Sequence, residues 1–249
     1  MRIGTAGWSI ARDAALSFPG EGQHLARYAR VLGCAEINSS FHRSHRVEVY
    51  ERWAAQTPPC FRFSVKVPRS ITHEGHLRSA REPLLRFLAE AGGLGDRLAV
   101  LLVQLPPSFA FEAQPARRFF GLLAELFAGS VVCEPRHPSW FAPAADRALV
   151  ACRVGRVGAD PARCPPAAEP GGWLGAEGDG RGAVVYYRWH GAPRMYWSRY
   201  EPGWVREQAD RIARWPADAD CWCIFDNTAG GGAISNALEL RSMLGPIAA

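Results

Sequence analysis

Lysine is nearly absent from this chain. Lys and Arg together number 29, and only Lys66 is a lysine. The heavy use of Arg, Ala, Gly and Pro is what a coding bias would produce, and under such a bias exchangeable surface lysines drift to arginine. The lysine that survives marks a place that needs a compact ammonium. Long hydrophobic runs are missing as well. No apolar stretch reaches the roughly 18 residues of a membrane span. The opening MRIGTAGW enters a strand pattern directly, without a basic segment followed by an apolar one. The expectation is a soluble, cytoplasmic protein with no membrane partner. The 7 cysteines lack paired CxxC spacing, which argues against a zinc ribbon and for a reduced compartment without structural disulfides. Cys34 and Cys133 fall inside predicted strands as small hydrophobes. The net charge is +5, but the arginines are spread over predicted helices. That favours a solvated surface over a nucleic-acid stripe.

What is present suits a large core. The 249 residues are 48% hydrophobic, an ordinary composition and size for one barrel domain. Eight short apolar runs recur: RIGTAGW, CAEINSSF, FRFSVKVPRSITH, LAVLLVQLPPSF, VVCEPRHPSW, RVGADP, VVYYRWHG and CWCIFDNT. Helical periodicity falls between them, at Gln23 to Leu32, Val47 to Ala55, Glu82 to Ala91, Pro115 to Phe127, Pro143 to Cys152, Gly203 to Trp215 and Ala233 to Leu244. Pro161 to Gly182 carries too much Pro and Gly for a helix, so the sixth crossover is expected to be irregular. The predicted fold is α/β: a single (β/α)8 TIM-type barrel over residues 1–249. In such barrels the C-terminal strand ends form the active site.

Period-two alternation then sorts the strand residues. Glu36 shares a face with Asn38; Arg62, Ser64 and Lys66 share another, opposite the apolar set of Phe61, Phe63, Val65 and Val67. The apolar set must meet helices, so Lys66 points into the barrel. By the same rule Gln104 goes with Val100 and Leu102, Glu134 and Arg136 with Val132, and Arg188 and His190 with Tyr186. Asp226 and Asn227 are on opposite faces, and one of them lines the interior. Buried charges of both signs cost several kcal/mol each unless paired, so these groups are expected to interlock.

Seven blocks carry a family resemblance. They are Gly4-Thr5-Ala6-Gly7-Trp8, Glu36-Ile37-Asn38-Ser39-Ser40-Phe41, Phe63-Ser64-Val65-Lys66-Val67-Pro68 with Thr72-His73, Gln104-Leu105-Pro106-Pro107-Ser108-Phe109, Glu134-Pro135-Arg136-His137-Pro138-Ser139-Trp140, Tyr187-Arg188-Trp189-His190-Gly191, and Phe225-Asp226-Asn227 with Asn236-Ala237. On these the chain resembles the domain of unknown function 72 family, also called YecE-like. The resemblance implies a TIM-type barrel and supplies no reaction. Departures from the family pattern fall at Ala6, at Ser40-Phe41-His42, at Pro135 and at Asp226, where the family usually has Asn. Asp226 therefore adds an acidic group to the site.

The expected catalytic set is Glu36, Lys66, Glu134, His137 and His190. The expected substrate contacts are Trp8, Asn38, His73, Gln104, Arg136, Trp140, Asp160, Arg188, Asp226 and Asn227. Lys66 is either a Schiff-base amine or an anchor for an anion; carboxylates at Glu36 and Glu134 would raise its pKa, which favours the anchor. His137 is either an acid/base or a brace for its loop. Arg188, with Gly230-Gly231-Gly232 before the last helix, suggests anion binding after strands seven and eight. No cofactor is expected. A divalent metal on Glu36, Glu134, His137, Asp160, His190 or Asp226 is the competing possibility, without HxH or HExxH spacing to support it. The expectation is an enzyme, a hydrolase or isomerase, acting on a small polar, anionic, sugar-like substrate. The alternative is a non-catalytic ligand-binding or nucleic-acid-associated protein using the same pocket.

Overall fold

In a computed structural model, which describes residues 1–175 and 184–245, the strands form a sheet that wraps into a barrel. Strands β1 (Arg2–Ala6), β2 (Cys34–Ile37), β3 (Arg62–Lys66), β4 (Leu98–Gln104) and β5 (Ser130–Glu134) follow one another as parallel neighbours. Strands β6 (Val154–Arg156) and β7 (Gly158–Asp160) are two halves of one path, interrupted at Val157. The first half pairs with β5, and the second with β9 (Val184–Trp189). A short piece, β8 (Gly171–Gly172), adds antiparallel to β6, and β10 (Asp220–Phe225) joins β9 back to β1. Ten segments thus realise the eight-strand pattern, because the sixth strand breaks and gains a two-residue neighbour.

Helices α1 (His24–Tyr28), α2 (Val47–Ala55), α3 (Arg81–Ala91), α4 (Ala113–Leu126), α5 (Pro143–Ala151), α6 (Pro202–Ile212) and α7 (Gly232–Leu244) fill the crossovers. Their ends follow local chemistry. Proline opens α5 and α6, where its missing N–H costs nothing. Thr57 closes α2 by donating to the Ala54 carbonyl at 2.9 Å. The first helix is shorter than the periodicity of Gln23 to Leu32 suggests; beyond Ala29 the chain continues as turns from Tyr28. Of the irregular sixth crossover, Pro165–Ala168 form a 3-10 turn, while residues 176–183 lie outside the described residues.

Two cores result. The outer one, between sheet and helices, holds Phe63, Val65, Leu101, Val103, Phe119, Trp140 and Phe225. The inner one is a plug inside the barrel: Cys34, Val100, Leu102, Val132, Val157, Val184, Tyr186, Trp222 and Ile224. Apart from Val157, where the sixth strand breaks, each inner residue lies two or four positions before a polar residue expected at the mouth. The plug therefore forms a dry floor beneath the charged layer.

Candidate active site

The charged layer is organised by Arg188, which is completely buried. Its Nε donates to Glu36 Oε2 at 2.8 Å and its Nη2 to Glu36 Oε1 at 2.6 Å, a bidentate pair. Nη1 donates to Glu134 Oε2 at 2.7 Å, and Nη2 also reaches Asp226 Oδ2 at 3.0 Å. His190 closes the ring, with Nε2 3.0 Å from Glu134 Oε1 and Nδ1 3.0 Å from Asp226 Oδ2. Gln104, directly opposite Glu134 in the sheet, donates to its Oε2 at 3.0 Å, and Arg136 Nε donates to Oε1 at 3.2 Å. Tyr186 donates to Glu36 Oε2 at 3.1 Å and is joined by Ser64 Oγ at 2.7 Å.

This network sets the protonation states. Burial opposes ionisation of Glu134, but Arg188, His190 and Arg136 outweigh it and hold the carboxyl well below its ordinary range. Burial likewise opposes the charge on Asp226, and Arg188 and His190 overcome it. His190 is raised above its usual value because Glu134 and Asp226 outweigh its desolvation. With His190 protonated, three carboxylates (Glu36, Glu134, Asp226) meet three cations (Arg188, Arg136, His190).

Lys66 is a fourth cation, and no carboxylate is left for it. The side chain is 5% exposed. Its Nζ sits 4.0 Å from the centre of the Phe41 ring and makes no hydrogen bond or ion pair with the described residues. Burial and then Arg188 lower its pKa to about 8, against the opposing pull of Glu36, Glu134 and Asp226. The carboxylates do raise it, as the sequence suggests, but they are engaged by Arg188 and the net direction is down. Ser40 locks the geometry: its hydroxyl, on the turn after β2, lies 2.7 Å from the Lys66 carbonyl and 3.0 Å from that of Ile37.

His73 borders the same space and packs edge-on to Phe41 at 5.0 Å. Burial, Lys66, Arg69, Arg136 and His76 lower its pKa to about 4, so it is neutral near pH 7. The Thr72 hydroxyl donates to the Pro68 carbonyl at 3.2 Å and so accepts from His73 Nδ1 at 2.9 Å. Nε2 is then the basic nitrogen. Two acceptors of the expected site residues also have no donor among the described residues: Asn38 Oδ1, which is buried, and Asp226 Oδ1. Arg136 Nη1 has no partner among the described residues, while Nη2 lies 3.2 Å from Glu134 Oε1 and donates to Tyr196 Oη at 3.2 Å.

Several expected residues go elsewhere. Asp226 is the inward member of its pair; Asn227 instead bonds the Ser198 carbonyl and Asn236. Arg188 has no room for a substrate anion, because the ring carboxylates take its donors. His137 Nδ1 accepts from the Ser139 N–H at 3.2 Å and caps the 3-10 turn Pro138–Phe141, so it braces the loop. Asp160 Oδ1 accepts from the Tyr200 hydroxyl at 2.6 Å and has no bond to the ring. Trp140 is fully buried in the outer core, its indole N–H donating to the Phe109 carbonyl at 2.9 Å. Trp8 packs on Trp53 and on Phe63, outside the barrel. Strand-end position places a tryptophan near the mouth in sequence but does not choose its face.

Four contributors were not expected: Phe41, Ser64, Tyr186 and Tyr196. Ser64 and Tyr186 share the inward faces of Lys66 and Arg188, so alternation offered the signal. Phe41 ends the short 3-10 turn Ser39–Phe41 and Tyr196 lies on a loop, and neither segment offers a strand periodicity to read.

Among the described residues no cluster of three or more His, Cys, Asp or Glu side chains is disposed to hold an ion. The Arg188 guanidinium lies where the carboxylates converge.

Comparison with known proteins agrees with this architecture. The family model described as "Protein of unknown function DUF72" matches residues 2–248. The protein called UPF0759 protein YecE in Escherichia coli (strain K12) is 33% identical over 141 residues, 56% of this chain and 50% of that protein. Its counterpart in Escherichia coli O157:H7 matches to the same extent. The chain thus matches about half the length of these curated relatives. Among solved structures, a DUF72 family protein from Thermotoga maritima MSB8 superposes with a TM-score of 0.76 at 22% identity, covering 98% of both chains. One from Enterococcus faecalis V583 gives 0.75 at 20% identity, covering 98% of this chain and 94% of that one. At these identities the likeness establishes the fold.

Proposed function

We propose a function from the premise that this chain belongs to the DUF72 family of proteins of unknown function: it is an enzyme whose barrel mouth binds a small, polar, anionic substrate and moves protons on it. The observation that carries this reading is the unmatched Lys66 ammonium. Three carboxylates and three cations balance within the ring, so the fourth cation leaves the mouth with a local positive charge. It is held in low dielectric, where a charge acts strongly on a ligand. Arg136, with Nη1 unengaged and its side chain 15% exposed, supplies a second anion contact. A phosphate or carboxylate bridging Lys66 and Arg136 would supply the missing counter-charge.

The remaining open groups suit proton transfer. Neutral His73 offers a basic Nε2 beside two cations, and Asn38 Oδ1 and Asp226 Oδ1 accept substrate hydroxyls. Isomerisation and hydrolysis both use this combination of a fixed anion, a base and hydroxyl acceptors. The supporting role of Glu36, Glu134, Arg188 and His190 is to hold the charged layer rigid. The test is titration calorimetry with inorganic phosphate and malonate. Wild type is expected to bind at least one of them, and Lys66→Met and Arg136→Gln are each expected to weaken it about tenfold or more, the value of one charge-assisted hydrogen bond. Equal affinity in all three proteins would sink the reading.

A further inference from the structure

We infer that Lys66 is a nucleophilic amine that forms an iminium with a small anionic carbonyl compound, so that the substrate class is an aldehyde or ketone bearing a phosphate or carboxylate. This deepens the proposed function and rests on its anion site.

Three features of the geometry carry it. An amine that must attack carbon needs its lone pair free, and Lys66 Nζ makes no hydrogen bond to the described residues. Every charged group facing it is already committed elsewhere: Glu36 and Glu134 to Arg188, and Asp226 to Arg188 and His190. An anchor for an anion could equally be arginine, and this chain uses arginine everywhere else. Arginine has no usable lone pair, whereas lysine supplies one once its proton is lost. Burial and the proximity of Arg188 bring that loss to about pH 8. The neutral amine near pH 7 is then on the order of a hundredfold more abundant than for an ordinary lysine.

The step balances without any co-reactant. Nζ, having given its proton to solvent, attacks the carbonyl carbon, and the C=O π pair moves onto oxygen. The oxygen gains a proton and nitrogen loses one, giving a neutral carbinolamine. Its hydroxyl takes up one further proton and leaves as water while the nitrogen lone pair forms the C=N bond. The net change from ammonium plus carbonyl is iminium plus water. One positive charge is present before and after, so the balance with the ring is undisturbed. The iminium would acidify the adjacent carbon, and the basic Nε2 of His73 is the neighbouring group suited to take that proton. Arg136 Nη1 would hold the anionic end.

The single lysine makes the experiment clean. Wild type and Lys66→Arg are incubated separately with glyoxylate, glyceraldehyde 3-phosphate and uncharged acetaldehyde, reduced with borohydride, and mapped by peptide mass spectrometry. The expected result is a reduced adduct on Lys66 with the anionic probes, several-fold above acetaldehyde and increasing through about pH 8. Lys66→Arg, which keeps the charge, should show label on the α-amino group alone. Adducts confined to the α-amino group in wild type would overturn the inference. Phosphate and malonate calorimetry on wild type and on Lys66→Met, which removes the charge, separates the two failures. Lys66-dependent anion binding without an adduct leaves the anion site standing and removes the iminium. Loss of both removes both.

Discussion

Replacing Lys66 with methionine is expected to make the protein more stable near pH 7. The ammonium is 5% exposed and forms no ion pair among the described residues, so folding must desolvate it. The fall from an ordinary 10.5 to about 8 corresponds to about 3 kcal/mol of preference for the neutral amine. The Phe41 ring, 4.0 Å from Nζ, offsets about 0.5–2 kcal/mol of this. Methionine fills similar volume without charge, leaving a net gain of about 1–3 kcal/mol, or about 2–6 °C in melting temperature for a chain of this size. The pH dependence follows from the sign of the shift. Between about 8 and 10.5 the unfolded chain binds more protons than the folded one at this site, so wild-type stability rises with pH there. Below 8 the cost is complete; above 10.5 it disappears. The assay is urea denaturation of both proteins at neutral pH and at about pH 10.5. The difference should favour Lys66→Met at neutral pH and shrink at high pH. A variant less stable than wild type at neutral pH, or a difference indifferent to pH, would refute the claim that the ammonium is unpaired. Stability gained where function is lost is the usual mark of a strained functional group.

Two further changes probe the ring. Tyr186→Phe removes the hydroxyl that donates to Glu36 Oε2 at 3.1 Å and meets Ser64 Oγ at 2.7 Å. It is expected to cost about 1–3 kcal/mol in urea unfolding, because buried polar atoms lose a partner. A cost near zero would mean that Arg188 alone satisfies Glu36. His190→Gln leaves one donor group where two bridged Glu134 and Asp226. The raised pKa of His190 gives stability that is complete below its unfolded 6.5 and lost as pH rises through the folded value. The variant should therefore be most damaged relative to wild type on the acid side of neutrality and least on the alkaline side; the reverse trend would exclude a protonated bridge.

The inward faces were legible because alternation is a local rule and the outer face of a barrel strand must be apolar. Val65 and Phe63 on one side place Lys66 on the other without any tertiary knowledge. The same logic turns Glu134, Arg188 and Tyr186 into one interior. The pairing across that interior was not legible. Arg188 and Glu36 are 152 positions apart in sequence, and nothing local says that Arg188, rather than Lys66, takes the carboxylates. The direction of the Lys66 pKa depended on that choice, so it came out opposite to the expectation. Loop residues were the other gap. His137 and Trp140 follow a strand, but once the chain turns, period two no longer assigns a face; one became a cap and the other a core side chain. The broken sixth strand escaped for a related reason. RVGADP has the composition of one short strand, and its switch of partner at Val157 is set by barrel closure.

The most direct measurement uses the lysine scarcity that marks the site. Protein grown with lysine carrying 13C at the ε-carbon gives a single lysine signal, whose shift reports the charge of Nζ as pH is raised. The account predicts one transition centred near 8. A midpoint at or above the ordinary 10.5 would show that Lys66 is solvated or paired after all, and both the anion site and the amine chemistry would fall with it.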